Sequence, residues 1–517
     1  MHSDSTTELP PVKELSAIAA ENNPNRIAYG KGVDGREITW AEFDEKTSRL
    51  ANGLRNYVGQ GDRVAFLTDC SIEHVSLWKA AVKAGCVVSN VHTRASPETL
   101  RYCVNELQPR VLVVDGELSE RAETVVRDEM GDNLAAVVTT DEPRREYEVS
   151  MADLVADQPA VAPDVRVTED DLVAVVWTSG TTGRPKGWCY TNRGMILKAL
   201  KNTDMSRSSS VPQLFTPSFA AWYASTIPAM VANASMFFLR DWDAETYLRM
   251  IDERELTTAV LVPTMWREIL RLDEFDAYDV SSLESIVASG ERLDETTLER
   301  LRENVCENVT NGYAATEVLV TATETQELEG DRIESVGKPN RGTRVRVIEQ
   351  GGPPDATKPP GEIGEIIVKG YDAAVWAWSD TERTENAFED GWWYSGDLGY
   401  KDEEGFLFLE GRKDFMILSK GMKVFPTPAE ERLNAHEGVE EAAVVGVDDE
   451  EYGEKVTALV HRTDPTLTAD ELDEWCLDSD KLARYERPRE YRFVDERLPR
   501  TASGKLDRRA AKTDYHA

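Results

Sequence analysis

Residues 178–187 read TSGTTGRPKG and directly follow the apolar run LVAVVW at 172–177. The apolar run predicts a buried strand. The stretch after it combines three glycines with four hydroxyl side chains and ends on Lys186 and Gly187. Because glycine lets a backbone approach an anion closely, and N–H groups and hydroxyls can surround phosphate oxygens, this stretch predicts a phosphate-binding loop.

The P-loop of kinases and NTPases is the first alternative for this loop. That motif requires Gly-Lys-Ser/Thr at the start of a helix, whereas Lys186 lies between Pro185 and Gly187. The spacing therefore disfavours an ADP-forming NTPase or kinase. A surface loop that binds no ligand is the second alternative.

Three further stretches carry side chains suited to a nucleotide. In NGYAATE at 311–317, Tyr313 can stack on a purine, Thr316 can donate to a phosphate and Glu317 offers a hard oxygen to magnesium. In GWWYSGDLG at 391–399, the Asp397 carboxylate can accept both hydroxyls of a ribose. In GKLDRR at 504–509, Lys505 is a solvated charge when considered alone. Each stretch by itself is also typical of an ordinary turn or surface.

Taken together, the motifs resemble the adenylate-forming superfamily of acyl-CoA synthetases, nonribosomal peptide synthetase adenylation domains and beetle luciferases. The similar segments run in family order along nearly the whole chain. They are TSGTTGRPKG, SGERL at 289–293, NGYAATE, GWWYSGDLG, GRKDFMILSKGMKVFP at 411–426 and PRTASGKLDRR at 499–509.

The resemblance implies a role for each matching residue. It makes Lys505 the catalytic lysine that bridges carboxylate and α-phosphate oxygens, with Thr181 and Glu317 also catalytic and Glu317 the magnesium ligand. It assigns ATP and AMP binding to Thr178, Ser179, Gly180, Thr181, Thr182, Gly183, Lys186, Gly290, Glu291, Arg292, Asn311, Gly312, Tyr313, Thr316, Asp397, Arg412 and Lys505. It assigns the hinge to Asp414 and the thiolation surface for coenzyme A to Lys420 and Gly421. It assigns the acyl pocket to Phe219, Trp222, Met265, Trp266, Ala314 and Val318.

The implied reaction has two steps. A carboxylic acid, fatty or aryl, attacks the α-phosphate of ATP with Mg²⁺ to give an acyl-adenylate, and the thiol of coenzyme A then displaces AMP. An adenylation enzyme that loads a carrier protein is the main alternative within the same chemistry. Luciferase-type oxidation and a catalytically inactive nucleotide-binding protein are further alternatives, and the presence of Lys505 and Glu317 disfavours the latter.

Four positions depart from residues common in the family. Asn192 and Ala220 stand where many members have histidine, Ala314 replaces the usual glycine after Tyr313, and Pro428 interrupts a stretch usually richer in carboxylates. None removes a predicted catalytic group. The changes at positions 220 and 314 bear on the identity of the acid.

The pattern of apolar runs predicts the elements that position these residues. Strands at 63–67, 110–115 and 134–140 alternate with an amphipathic helix at 73–85 and predict a parallel α/β sheet, repeated at 257–264 and 283–289. After residue 337 the sequence predicts a strand-rich region, and then a small α+β domain. We therefore expect an α/β fold with an AMP-binding domain over 1–411 and a small mobile domain over 412–517.

Composition limits the partners. The 517 residues carry a net charge of -36, which disfavours nucleic acid and anionic membranes. The chain shows no predicted signal peptide or integral membrane segment, so we expect a cytoplasmic location. The six cysteines and six histidines show no metal-binding spacing. A homodimer stays open, and the acidity suggests a cell with high internal salt.

Overall fold

The computed structural model describes residues 9–33, 35–129, 133–178, 184–201, 205–290, 293–318, 320–479, 482–500 and 506–514. Within these residues no helix combines the length and the apolar character that crossing a membrane requires.

The strands, in chain order, are β1 Ile27–Lys31, β2 Glu37–Thr39, β3 Arg63–Leu67, β4 Val87–Asn90, β5 Val111–Val114, β6 Ala136–Thr139, β7 Glu148–Ser150, β8 Leu172–Thr178, β9 Lys186–Thr191, β10 Ser210–Gln213, β11 Ser235–Phe238, β12 Thr258–Leu261, β13 Ser285–Ser289, β14 Val309–Ala315, β15 Val320–Thr325, β16 Ser335–Pro339, β17 Thr343–Ile348, β18 Gly364–Gly370, β19 Trp376–Ala377, β20 Phe388–Glu389, β21 Trp392–Lys401, β22 Leu407–Arg412, β23 Ile417–Ser419, β24 Met422–Val424, β25 Val439–Asp449, β26 Gly453–Arg462 and β27 Glu490–Val494.

The α-helices are α1 Leu15–Asn22, α2 Trp40–Leu54, α3 Ile72–Lys83, α4 Pro97–Leu107, α5 Ser119–Glu129, α6 Met151–Val155, α7 Asn192–Lys201, α8 Ala220–Ala232, α9 Ala244–Arg254, α10 Pro263–Ile269, α11 Glu295–Asn304, α12 Thr381–Ala387, α13 Pro426–Asn434, α14 Ala469–Leu477 and α15 Arg508–Asp514.

The chain forms two compact units. The first comprises Met1–Val345 and Val368–Trp393, and the second comprises Arg346–Ile367 and Tyr394–Ala517. These units are defined by contacts, whereas the predicted boundary at residue 411 concerns the body that moves. That boundary stays a prediction.

The sheet that carries the phosphate loop has the strand order β19-β9-β8-β4-β3-β5-β6-β7. From β8 to β7 neighbouring strands are parallel, as predicted. Helix α3, which connects β3 to β4, begins where the Ser71 hydroxyl accepts from the His74 backbone N–H. It ends just before Gly85, whose φ of +78° suits glycine. The predicted α/β alternation is therefore confirmed in this sheet.

The first unit contains two other sheet segments. Strands β10-β11-β1-β2 form one sheet, and β12-β13-β14-β15-β16 form the other. Strands β12, β13 and β14 are parallel, and β15 turns back antiparallel to β14. The stretch predicted as a strand over 257–264 ends earlier, because Pro263 begins helix α10.

The second unit is built from strands with few helices. Strands β22-β21-β18-β17 are hydrogen-bonded in that order, and a separate sheet runs β24-β23-β26-β25, with β27 beside β26. Helices α13 and α14 contribute Leu433 and Leu472 to the core of that separate sheet. The predicted strand-rich region and small α+β domain are confirmed.

Candidate active site

The phosphate loop joins two antiparallel strands. Thr178 at the end of β8 pairs with Lys186 at the start of β9. The indole N–H of Trp177 donates to the Ser89 hydroxyl on β4 over 2.8 Å, which fixes the end of β8. A Cβ on Gly187 would lie 2.9 Å from Cγ1 of Val175, so glycine lets the two strands pack closely. This strand-loop-strand arrangement differs from the strand-loop-helix of a P-loop.

The motif NGYAATE occupies the end of β14 and the 3-10 turn Thr316–Val318 that follows it. The Asn311 side chain is buried, donates to the Ser335 carbonyl over 3.0 Å and accepts from the Gly312 N–H over 2.9 Å. Tyr313 is 7% exposed, whereas Thr316 and Glu317 are half-buried. The motif is therefore a held strand end that presents Thr316 and Glu317, and not a flexible turn.

Strand β9 is tied directly to that turn. The Tyr190 hydroxyl donates to the Thr316 carbonyl. The Ala374 N–H donates to the Glu317 carbonyl over 2.9 Å, and the Val375 N–H donates to the Cys189 carbonyl on β9 over 2.9 Å. The strand that follows the phosphate loop and the turn with Thr316 and Glu317 are thus parts of one hydrogen-bonded structure.

In the second unit, the ribose candidate Asp397 faces a cation across two strands. Asp397 on β21 pairs with Arg412 on β22, and Nη1 of Arg412 donates to Oδ1 of Asp397 over 3.0 Å. Gly396 has a φ of +73°, and a Cβ there would lie 3.0 Å from Nη2 of Arg412. Glycine at this position therefore leaves room for the guanidinium beside the carboxylate.

Comparison with known families matches both parts of the chain. The profile of the AMP-binding enzymes matches residues 17–375, and that of the AMP-binding enzyme C-terminal domain matches residues 429–505. The chain belongs to the adenylate-forming AMP-binding enzymes. Within that superfamily it is a member of the acyl-CoA ligase family and an AMP-forming acid–CoA ligase.

Individual relatives agree with this assignment. The chain is 31% identical over 495 residues to a feruloyl-CoA synthase from an Amycolatopsis species, covering 94% of this chain and 95% of that protein. It is 28% identical over 481 residues to the 3-hydroxybenzoate–CoA/4-hydroxybenzoate–CoA ligase of Thauera aromatica, covering 92% and 91%. The crystal structure of the anthranilate CoA ligase AuaEII with anthranoyl-AMP shares the fold, with a TM-score of 0.88 at 24% identity and 99% coverage of both chains.

Several residues assigned to this AMP-binding enzyme's site lie outside the described residues. They are Ser179, Gly180, Thr181, Thr182, Gly183, Glu291, Arg292 and Lys505. Their neighbours are described. Gly290 follows β13 with a φ of +93°. The chain on either side of 501–505 is joined by the Asp507 N–H, which donates to the Pro499 carbonyl over 2.8 Å.

The six residues assigned to the acyl pocket lie in different surroundings. Trp222 and Trp266 are fully buried in two separate core clusters, Trp222 against Trp78 and Tyr223, and Trp266 against Tyr247. The half-buried Met265 packs against the same cluster as Trp266. Val318 is buried and Ala314 half-buried at the turn. Phe219 contacts His92, with ring centroids 5.1 Å apart. Their common role as a pocket stays a proposal.

The positions assigned to the hinge and thiolation surface also have defined surroundings. Nη2 of Arg412 lies 3.9 Å from Oδ2 of Asp414. Lys420 and Gly421 form the tight turn between β23 and β24, with φ values of +49° and +79°. A hydrogen bond to Glu451 raises the pKa of Lys420, and its ammonium lies 4.1 Å from the centre of the Tyr452 ring.

Magnesium fits the site through one protein carboxylate. Glu317 offers that oxygen, and Mg²⁺ held by one or two carboxylates keeps waters and phosphate oxygens as its other ligands. Across the described ranges, no group of three or more His, Cys, Asp and Glu side chains forms a metal cluster.

Sequence reasoning missed the residues that join the motifs. Tyr190, Ser335 and Ala374 lie outside the quoted motifs, yet each bonds to residues 311–317. Tyr190 alone had a signal, since a tyrosine in a buried strand must place its hydroxyl near an acceptor. The other two act through backbone atoms and leave no trace in side-chain type.

Proposed function

We propose that the protein joins an apolar carboxylic acid, fatty or aryl, to coenzyme A in two steps, with AMP and pyrophosphate as products. The family assignment supports ATP-dependent acid–CoA ligation. The observation that carries the proposal is the bond from Tyr190 to the Thr316 carbonyl, which holds the strand after the phosphate loop against the turn that presents Glu317.

In the first step the chain acts by positioning and charge. Tyr313 packs against the adenine, the Asp397 carboxylate accepts from the ribose hydroxyls, and Thr316 and Lys186 contact phosphate oxygens. When magnesium is bound with ATP, it neutralises phosphate charge, and Glu317 supplies one ligand. Lys505 stabilises the charge that develops as the acid oxygen attacks the α-phosphorus and pyrophosphate leaves.

In the second step the thiol of coenzyme A attacks the acyl carbon and AMP leaves. We assign Asp414 to the hinge and the turn at Lys420 and Gly421 to the surface that faces the thiol. The Glu451 carboxylate, with Nζ of Lys420 2.6 Å from its Oε1, holds the lysine at the base of that turn. A swing between two poses would let one small domain serve both steps.

The test is a product analysis. The purified chain is incubated with Mg-ATP and a panel of fatty and aryl acids, with and without coenzyme A, in low and in high potassium chloride. Acid-dependent AMP together with a CoA thioester is expected, and the net charge of -36 predicts higher activity in high salt. AMP without a thioester would point to a carrier protein as acceptor. ADP, or no turnover in either salt, would contradict the proposal.

A further inference from the structure

Two segments beside the phosphate loop carry polar groups that the proposed reaction does not yet use. Strands β4 and β8 are parallel neighbours, with Val88 opposite Ala174, so both strands end at the same edge of the sheet. The phosphate loop leaves β8 after Thr178, and His92 lies just beyond the end of β4 at Asn90. Ligands of open parallel sheets bind outside the carboxyl ends of the strands.

Asn90 links this edge to the segment that precedes helix α8. Its side-chain N–H₂ donates to the Pro217 carbonyl over 2.9 Å and to the Tyr223 hydroxyl over 2.7 Å. The next contact along the same two segments is between the rings of His92 and Phe219, which are tilted by 57°. Asn90, His92, Ser218 and Phe219 are therefore neighbours at the sheet edge, and we call them the edge cluster.

Two buried atoms of the edge cluster lack a partner. Asn90 is 3% exposed and Ser218 is 4% exposed, and neither Oδ1 of Asn90 nor Oγ of Ser218 has a hydrogen-bond partner among the described residues. A carbonyl oxygen such as that of Pro217 can only accept, so the amide orientation of Asn90 is fixed and its Oδ1 must be an acceptor. Buried polar atoms are rarely left unpaired. The missing partner must therefore donate a hydrogen bond.

The two rings of the edge cluster add a planar surface and a second donor. Nδ1 of His92 accepts from the Arg94 N–H over 3.0 Å, so a neutral imidazole carries its proton on Nε2. Burial lowers the pKa of His92, and the charge of Arg94 lowers it further, which favours the neutral ring at pH 7. Phe219 and His92 together favour contact with another aromatic ring.

We propose that the edge cluster is a subsite for the acid, and that the acid is an aryl acid bearing a hydroxyl group. The aryl ring packs against Phe219, and its hydroxyl donates to Oδ1 of Asn90 while bonding to Oγ of Ser218. A straight-chain acid has no group to satisfy either atom. This inference rests on the proposed function, which itself leaves the choice between fatty and aryl acids open.

The experiment compares matched acids. The kcat/KM of the wild-type chain is measured for 4-hydroxybenzoate against benzoate, 4-hydroxycinnamate against cinnamate, and octanoate. A site that leaves buried polar groups unpaired rejects the analogue without the hydroxyl, so we expect at least about a tenfold preference for one hydroxylated acid over its partner. Ser218→Ala and Asn90→Ala are expected to reduce that preference by about tenfold, with the KM for ATP changed less than about twofold.

Tyr223→Phe is the matched control, because it removes the hydroxyl that holds Asn90 and leaves both unpartnered atoms in place. It is expected to lower the melting temperature and to keep the preference. If Asn90→Ala fails to fold, Ser218→Ala decides the question alone, since its hydroxyl has no partner in the described chain to lose. A wild type that uses acids but ignores the hydroxyl, or a Ser218→Ala variant with an unchanged preference, overturns the inference and shows that water fills the site. Absence of AMP with every acid would instead remove the proposed function, and this inference with it.

Discussion

Asp397 and Arg412 are directly opposite each other on the antiparallel strands β21 and β22, and their side chains are joined over 3.0 Å. The guanidinium therefore holds the carboxylate in one orientation before any nucleotide is present. Both side chains are partly exposed, at 16% for Asp397 and 37% for Arg412, so the pair contributes little to stability. Its value is in fixing a carboxylate that can accept two hydroxyls.

Asp397→Asn is expected to raise the KM for ATP by about tenfold or more, because an amide cannot accept from both ribose hydroxyls with a full charge. The melting temperature should change little. Acid-dependent AMP formation measured over a range of ATP concentrations checks this. Glu403→Gln removes the same charge in the turn after β21 and should leave the KM for ATP unchanged; an equal rise in both variants would point to net charge alone.

Glu317→Gln is expected to slow adenylation by about a hundredfold and to shift its magnesium dependence to higher concentration, since a neutral amide is a weaker ligand for Mg²⁺. The backbone carbonyl of Glu317, which accepts from Ala374, is unchanged by this substitution. Pyrophosphate exchange measured against Mg²⁺ concentration tests the prediction. A variant with the wild-type magnesium curve would show that Glu317 is not a ligand.

Lys505→Ala is expected to abolish acyl-adenylate formation and to spare thioester formation from a synthetic acyl-adenylate. The reason is that the lysine neutralises charge only in the transition state of the first step. Each half-reaction is measured separately, with Lys31→Ala as a control for loss of a positive charge elsewhere. Equal loss of both half-reactions would contradict a role confined to adenylation.

Arg508→Ala is expected to destabilise the second unit by about 3 kcal/mol, because breaking a buried ion pair leaves an uncompensated charge. Nε of Arg508 donates to Oε1 of Glu430 over 3.0 Å, and the Glu430 side chain is only 8% exposed. Lys512→Ala breaks an ion pair to Glu454 whose side chains are 38% and 29% exposed, and should cost less than about 1 kcal/mol. Denaturant unfolding of both variants checks the contrast, and similar losses would contradict the assigned difference.

The stability of the first unit should fall with pH through the titration of His74. Burial lowers the pKa of this fully buried imidazole from 6.5 to about 3. Below pH 6.5 the unfolded chain binds a proton that the folded chain does not, so stability is lost as pH falls from 6.5 towards 3. Between pH 6.5 and about 4.5 the loss from this group is about 2 to 3 kcal/mol.

The comparison of wild type with His74→Gln isolates that contribution from the many carboxylates. The free energy of unfolding of the variant should fall less steeply over the same range of pH. If both chains lose stability in parallel, His74 is not the group responsible.

The sequence by itself determined the kind of chemistry and the type of most elements. Apolar periodicity indicated the parallel strands on both sides of α3, because a buried strand and an amphipathic helix need different spacing of apolar residues. The positions of Tyr313, Thr316, Glu317 and Asp397 followed from side-chain types in short motifs. These features are local, so neighbouring residues in the chain are enough to predict them.

Only the tertiary structure decided which distant residues meet. The Tyr190 hydroxyl bonds to a backbone atom 126 positions away, and the register of β21 on β22 places Arg412 beside Asp397. Trp222 and Trp266 could equally have lined a pocket or filled a core, because an apolar ring loses water in both. The structure places each in a separate core cluster. It also shows that Asn90 and Ser218 are buried with unpaired atoms, since a polar residue type in the sequence says nothing of whether its partners are present.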